Sequence, residues 1–211
     1  MREVKEVMRP SNGKAGYTLL PFLLLALLLL SQAESGQLVL QKSRLNLGEV
    51  VEDLVEQFQI PAEAAGVRLK ADVPSECPAM LDRVQIERMI NNLLSNAIKF
   101  TPEGGQVRMA LHPSPEHIEM VVEDTGCGIA AEHLSHIFDR FYRVPGSGTK
   151  SGAEQGLGLG LSFVAWIVKA HGGKIEVEST PGMGTRFTIK LPGDGAGADT
   201  LELAGEAATF S

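Results

Sequence analysis

Cysteine is scarce: the 211 residues contain two, Cys77 and Cys127. They stand far apart and outside any Cys-x-x-Cys or Cys/His cluster, so neither a zinc site nor a disulfide framework is readable, and a reducing compartment fits best. Positive charge is also short. Nineteen Lys and Arg against 26 Asp and Glu leave a formal net charge of −7, which argues against a surface for duplex nucleic acid. No apolar run reaches the roughly 18 residues that read as a membrane span. "YTLLPFLLLALLLL", residues 17–30, has the length of a buried helix or a signal-peptide core. Arg2, Lys5, Arg9 and Lys14 ahead of it, and the small Ser31 and Ala33 behind it, also suit a signal peptide. The chain is 44% hydrophobic and 21% charged, an ordinary globular composition of a size that needs no disulfide to hold a core.

Periodicity predicts a helix from Leu45 to Glu63, its apolar positions being Leu47, Val50, Val51, Leu54, Val55 and Phe58, ended by Pro61 and Gly66. "VRLKADV" alternates as a half-buried strand does. Asp82 and Gln85 resemble a capping box opening a helix through Phe100, with Ile86, Met89, Ile90, Leu93 and Ala97 inward, stopped by Thr101-Pro102 and Gly104-Gly105. Strands over 106–111 and 118–124 read as a hairpin across "HPSPEH". "VPGSGTKSGAEQGLGLG" is too long and polar for a tight turn. A helix over 161–171 and strands over 174–178 and 185–191 follow. This order predicts an α/β two-layer sandwich: a mixed, mostly antiparallel sheet with helices on one face. Residues 1–36 form a basic and hydrophobic N-terminal segment, 37–192 the main domain, and 193–211 a tail poor in apolar residues.

Three segments carry chemistry. Asn92, Asn96 and Lys99 fall on one stripe of a helix, since 3.6 residues per turn brings i, i+4 and i+7 together. Amide oxygens are neutral hard ligands suited to Mg²⁺, and a lysine adds a point charge for phosphate; alone, the stripe would equally be a solvated polar face. "EDTGCGI" ends a strand with Asp124, able to accept from an exocyclic amine, followed by Gly126 and Gly128, which permit close approach of a ligand. A capped turn is the bland alternative. "QGLGLGL" places Gly156, Gly158 and Gly160 before a helix, where free N–H groups favour phosphate oxygens; a hinge explains it equally. "PGMGT" reads by itself as a hairpin turn.

In order and spacing these segments resemble the ATP-binding catalytic domain of sensor histidine kinases, in the superfamily with gyrase, the ninety-kilodalton heat-shock chaperones and MutL. "NNLLSNAIKFTP" resembles the N box, "DTGCGI", "GLGLGL" and "TPGMGT" the three glycine boxes, and "IFDRFYR" the F box. The resemblance implies ATP and Mg²⁺, with Asn92 and Asn96 on the metal and Lys99 beside the phosphates. It implies that Asp124 takes the adenine amine, that Gly126 and Gly128 shape the base pocket, and that Thr185 supports the base directly or through water. It places Gly156, Leu157, Gly158 and Gly160 in a lid near the phosphates, and Arg143, Lys150 and Gln155 as γ-phosphate contacts. Phe138 and Phe141 are expected to pack rather than touch nucleotide. In ATP-hydrolysing relatives a glutamate activates water one turn before the metal-binding asparagine. Here that position is Asn92, an amide without useful basicity, so phosphoryl transfer is expected rather than hydrolysis.

None of His112, His117, His133, His136 and His171 is followed by the acidic residue and proline that accompany a phosphoacceptor histidine. The acceptor is therefore expected on a dimerisation domain in trans or on a missing upstream segment, with a response regulator as indirect partner. "LLLLSQAESGQLVL" resembles the end of a dimerisation helix and its linker. Its exposed leucines would be covered by homodimerisation or by membrane contact through residues 17–30. Because the site needs ATP, a cytoplasmic catalytic part is expected, at the inner face of the plasma membrane if the leucines attach there. A non-catalytic ATP-binding regulatory module and an anti-sigma-type serine kinase are the alternatives.

Overall fold

A computed structural model describes residues 39–145 and 157–193. The segment 1–36, the tail beyond 193, and the expected contacts Lys150, Gln155 and Gly156 lie outside the described residues.

The chain enters through β1 (Ser43–Asn46), which pairs antiparallel with β3 (Pro78–Leu81) in a small ribbon. This corrects the expectation of a helix from Leu45. Asn46 is instead the cap of α1 (Leu47–Ala64): its Oδ1 accepts from the N–H groups of Gly48 and Cys77, while its amide donates to the Ser75 carbonyl at 2.7 Å. Pro61 does not end α1. It lies on the exposed side, where the carbonyl its ring leaves unpaired can reach water, and the helix closes one turn later as Ala65 N–H donates to the Pro61 carbonyl.

Helix α2 (Arg83–Phe100) is capped by Asp82, whose Oδ1 accepts from Gln85 N–H at 3.1 Å. The capping box is half made, because the Gln85 amide oxygen is buried without a partner. Its inward face is Ile86, Met89, Ile90, Leu93, Leu94, Ala97 and Ile98, the expected stripe plus two flanking positions. Thr101 turns the chain out, its hydroxyl donating to the Ala97 carbonyl at 2.6 Å.

The main sheet comprises β2 (Arg68–Asp72), β4 (Gln106–Pro113), β5 (His117–Asp124), β6 (Lys174–Thr180) and β7 (Gly184–Pro192), in spatial order β2-β4-β5-β7-β6. Only β2 and β4 pair in parallel, and α2 lies in the crossover between them. The sheet is therefore mixed and mostly antiparallel, with helices on one face, as the element order predicts. After β5 come the single turn α3 (Ala131–Leu134) and then α4 (Gly160–Ala170), which buries Phe163, Val164, Ile167 and Val168.

Period-two alternation decides what points at the helices. Ile118, Met120 and Val122 of β5 and Phe187, Ile189 and Leu191 of β7 join α1, α2 and α4 in one apolar core. Continuing the same parity, β5 ends on Asp124 and the first residue of that parity in β7 is Thr185, so two polar side chains project to the helix side at one end of the sheet.

Candidate functional site

Asp124 and Thr185 are directly opposite each other in the β5–β7 ladder, and both are buried. Asp124 Oδ1 accepts from Gly126 N–H at 2.8 Å and from Thr185 N–H at 3.2 Å. Oδ2 has no partner among the described residues and is not sealed in the core, which leaves it as an acceptor for an incoming N–H. Burial pushes the carboxyl above the usual aspartate range; the two N–H bonds oppose that shift and Glu123 adds to it.

The glycine loop after Asp124 is sewn to the end of α2 and to the β6–β7 hairpin. Cys127 N–H donates to the Phe100 carbonyl at 3.1 Å, Gly182 N–H to the Cys127 carbonyl at 2.8 Å, and Ile129 N–H to Ser179 Oγ at 2.8 Å. Gly128 has φ +67, and any Cβ there would run into the Thr180 carbonyl. Gly184 has φ +109, and a Cβ would strike the Asp124 carbonyl. Both positions need glycine for backbone shape as well as contact.

Along α2 the three expected residues are all part-exposed, as one stripe requires. Asn92 donates its amide to the Arg88 carbonyl at 2.8 Å, which turns Oδ1 outward. That oxygen faces the first turn of α4, where a Cβ on Gly160 would lie 2.8 Å from it. Asn96 has no side-chain hydrogen bond to a described residue, and Lys99 lies over the Phe100 ring at 5.5 Å. The Asn92 amide oxygen, the part-exposed Asn96 amide and the Lys99 ammonium, along the last three turns of α2, are of a chemistry that suits a hydrated Mg²⁺ and phosphates. Among the described residues there is no cluster of three His, Cys, Asp or Glu that would hold a metal in their place. A cavity of about 500 Å³ opens beside Asn92, lined also by Phe58, Val84, Glu87, Arg88, Asn91 and Ser95. Asp124 is not in its wall.

The remaining expected residues divide. Gly158 packs on the backbone of Phe141 and Tyr142, accepting Phe141 N–H on its carbonyl at 2.9 Å, and Leu157 is half-exposed. Phe138 packs edge-on against Phe187 as expected, whereas Phe141 is half-exposed with φ +62. Arg143 is in the described part beside this turn. Sequence reasoning missed Ser179, Gly184 and the Phe100 carbonyl. Only strand register and the helix end bring these to the site, although Gly184 stood in the quoted "PGMGT".

The family described as histidine kinase-, DNA gyrase B- and HSP90-like ATPase matches residues 81–195. The sensor histidine kinase CusS of Escherichia coli is 40% identical over 166 residues, covering 79% of this chain and 34% of that one. The chain thus spans about a third of the length of CusS, and less of some other curated relatives it matches. Among solved structures, the Acinetobacter baumannii histidine kinase AdeS superposes with a TM-score of 0.67 at 27% identity, over 84% of this chain and 80% of that one. Full-length ShkA in complex with AMPPNP gives 0.71 at 23% identity, over 82% and 36%, a likeness of fold.

Proposed function

The chain belongs to the family of histidine kinase-, DNA gyrase B- and HSP90-like ATPases, and from that membership we propose that residues 37–192 are the ATP-binding catalytic domain of a two-component sensor kinase. The domain transfers the γ-phosphoryl group of ATP to a histidine supplied in trans or by sequence upstream. The observation that carries the reading is the Asp124 cradle: a buried carboxylate with one oxygen held by two backbone N–H groups and the other left for a ligand, at the end of the helix that carries Asn92 and Asn96.

Asp124 accepts from the adenine amine through Oδ2, and the glycine loop and Thr185 form the pocket around the base. Asn92 and Asn96 hold Mg²⁺ through their amide oxygens, and Lys99 meets phosphate. Bound Mg²⁺ supplies charge neutralisation for phosphoryl transfer. Arg143, Lys150 and Gln155 serve the γ-phosphate, with Gly156, Leu157, Gly158 and Gly160 alongside. Asn92 cannot deprotonate water, because an amide has no useful basicity and its nitrogen is already committed to the Arg88 carbonyl. Transfer to an imidazole needs alignment more than a base from this domain.

Three of the chain's own histidines are poor acceptors. His171 is buried with both ring nitrogens engaged, while His133 and His136 pair with Tyr142 and Asp139 at 2.8 Å. The phosphorylated partner in this reading is a histidine-bearing dimerisation domain, in trans or upstream in the same protein, with a response regulator downstream. Dependence on ATP puts the domain in the cytoplasm, against the inner face of the plasma membrane if residues 17–30 attach there. The test is to mix the protein with γ-labelled ATP, Mg²⁺ and a separately purified dimerisation domain. Label on that domain's histidine is expected. Tight nucleotide binding with no transfer under any condition would replace the kinase reading with a regulatory ATP-binding module.

A further inference from the structure

We propose that Ser179 is a positioning residue that sets the hydrogen-bond polarity of the purine pocket, so that it selects a 6-amino purine over a 6-oxo purine. The inference rests on the adenine-site reading above and extends it to a residue outside the glycine loop.

Strand register lines up three polar side chains across one end of the sheet: Ser179 of β6 opposite Thr185 of β7, and Thr185 opposite Asp124 of β5. Directly opposed residues of antiparallel strands share a face, so the three stand in one row. Ser179 Oγ has three partners. It accepts from Ile129 N–H at 2.8 Å, donates to the Gly184 carbonyl at 2.8 Å, and lies 2.9 Å from Thr185 Oγ1.

A serine hydroxyl has one proton and two lone pairs. Ile129 takes one lone pair, because an amide N–H only donates. Gly184 takes the proton, because a carbonyl only accepts. The second lone pair is then left for Thr185, whose own hydroxyl proton must point at Ser179. Thr185 consequently faces the pocket with lone pairs alone, and ionised Asp124 beside it offers Oδ2, also acceptor-only. An exocyclic amine at the purine 6-position satisfies such a wall. A 6-oxo group meets it lone pair to lone pair and leaves buried polar atoms unpaired.

The same hydroxyl also ties the glycine loop, through Ile129, to the β6–β7 hairpin, through Gly184. Loss of that tie would loosen the pocket for every nucleotide alike. Polarity would not: it changes the ratio between nucleotides.

The experiment measures dissociation constants of Mg-ATP and Mg-ITP, which differ at the purine 6-position and its adjoining N1 proton, for the full chain and for Ser179→Ala and Ser179→Thr by calorimetry. Ser179→Ala frees the Thr185 proton to turn into the pocket, and the preference for ATP over ITP should narrow by roughly tenfold, the worth of about one hydrogen bond. Ser179→Thr keeps the hydroxyl and should hold the wild-type ratio. Equal weakening of both nucleotides by Ser179→Ala, an unchanged ratio, or a threonine variant that behaves like the alanine one overturns the role of Ser179. Failure of the unsubstituted protein to bind Mg-ATP overturns the adenine site itself, a different and separable result.

Discussion

Replacing Asp124 by asparagine separates what the carboxylate does for the fold from what it does for the ligand. Oδ1 is held by two donors, the N–H groups of Gly126 and Thr185. An asparagine must therefore place its carbonyl oxygen there and turn its NH₂ toward the ligand. Adenine then meets a donor with a donor and loses a charge-assisted bond worth about 1.5–3 kcal/mol, so ATP affinity should fall about 10- to 150-fold. Stability should behave differently. The folded carboxyl is pushed up, chiefly by burial. Between the unfolded and folded values the folded state therefore holds more protons, and stability is fullest below the ordinary aspartate value and declines as pH rises through the folded one. At pH 7 the charge is a cost to the empty protein. Asp124→Asn should then melt no lower than wild type at pH 7, while Asp124→Ala, which orphans two backbone N–H groups, should lose about 2–4 kcal/mol. Calorimetric titration with Mg-ATP and thermal melts of the three proteins decide the matter. ATP binding by Asp124→Asn at wild-type strength, or a melting point as low as that of the alanine variant, would refute the reasoning.

Other expectations follow from single contacts. Gly128→Ala forces an L-residue to φ +67 and a Cβ against the Thr180 carbonyl; it should cost more than about 2 kcal/mol and abolish ATP binding, read by urea melts and titration. Gly160→Ala pushes on Asn92 Oδ1 and should weaken Mg²⁺-dependent ATP binding severalfold while leaving metal-free adenosine binding intact. Asn96→Ala should likewise lose mainly the Mg²⁺-dependent part of affinity, seen by titrating with and without the metal. His171 is buried, its Nδ1–H donating to the Ile167 carbonyl and its Nε2 accepting from Asp82 N–H at 3.1 Å. Burial, with Lys42 adding, pushes the imidazole below its usual range despite the bond to Ile167 and the nearby Asp82. The unfolded chain thus binds the proton first as pH drops, so His171's contribution is complete above about pH 6.5 and fades as pH falls toward the lowered value. Between pH 7.5 and 5, acidification should lower the urea midpoint of wild type relative to that of His171→Ala, and parallel pH profiles would contradict the assignment.

Elements with a long amphipathic period were legible in the sequence, because their burial repeats along the chain. The inward face of α2 and the alternation of β4, β5 and β7 are of this kind. The β1–β3 ribbon was not: its strands are four residues each, and its existence depends on Asn46 reaching across to Ser75 and Cys77, a contact no local pattern announces. The far end of α1 was closer to its expected place: Pro61 sits inside the last turn, at an exposed site where the unpaired carbonyl can reach water, and the helix ends at Ala64, one residue past the predicted Glu63. Within the candidate site, the residues proposed to act through their own chemistry, such as Asp124 and the two asparagines, are proposed from type and spacing, and strand parity and helix face leave them available for those roles. Those that act through position could not be named in that way. Ser179 is an ordinary strand serine until register sets it against Thr185, and the Phe100 carbonyl is any helix-end acceptor until the glycine loop binds it.

That second class of contact bears on the proposed nucleotide site, in which one helix would serve both ends of the ligand. Helix α2 buries one face in the core, which fixes its rotation; the bond from Cys127 to the Phe100 carbonyl then fixes the glycine loop to its last turn. Asn96 stands one turn from that end, about 6 Å along the axis, and Asn92 one turn further, against the first turn of α4. The proposed base pocket and the amides proposed for the metal therefore share a rigid spacing set by helical rise, and in the proposed complex a slide of α2 would move the amides along the polyphosphate while pulling on the glycine loop.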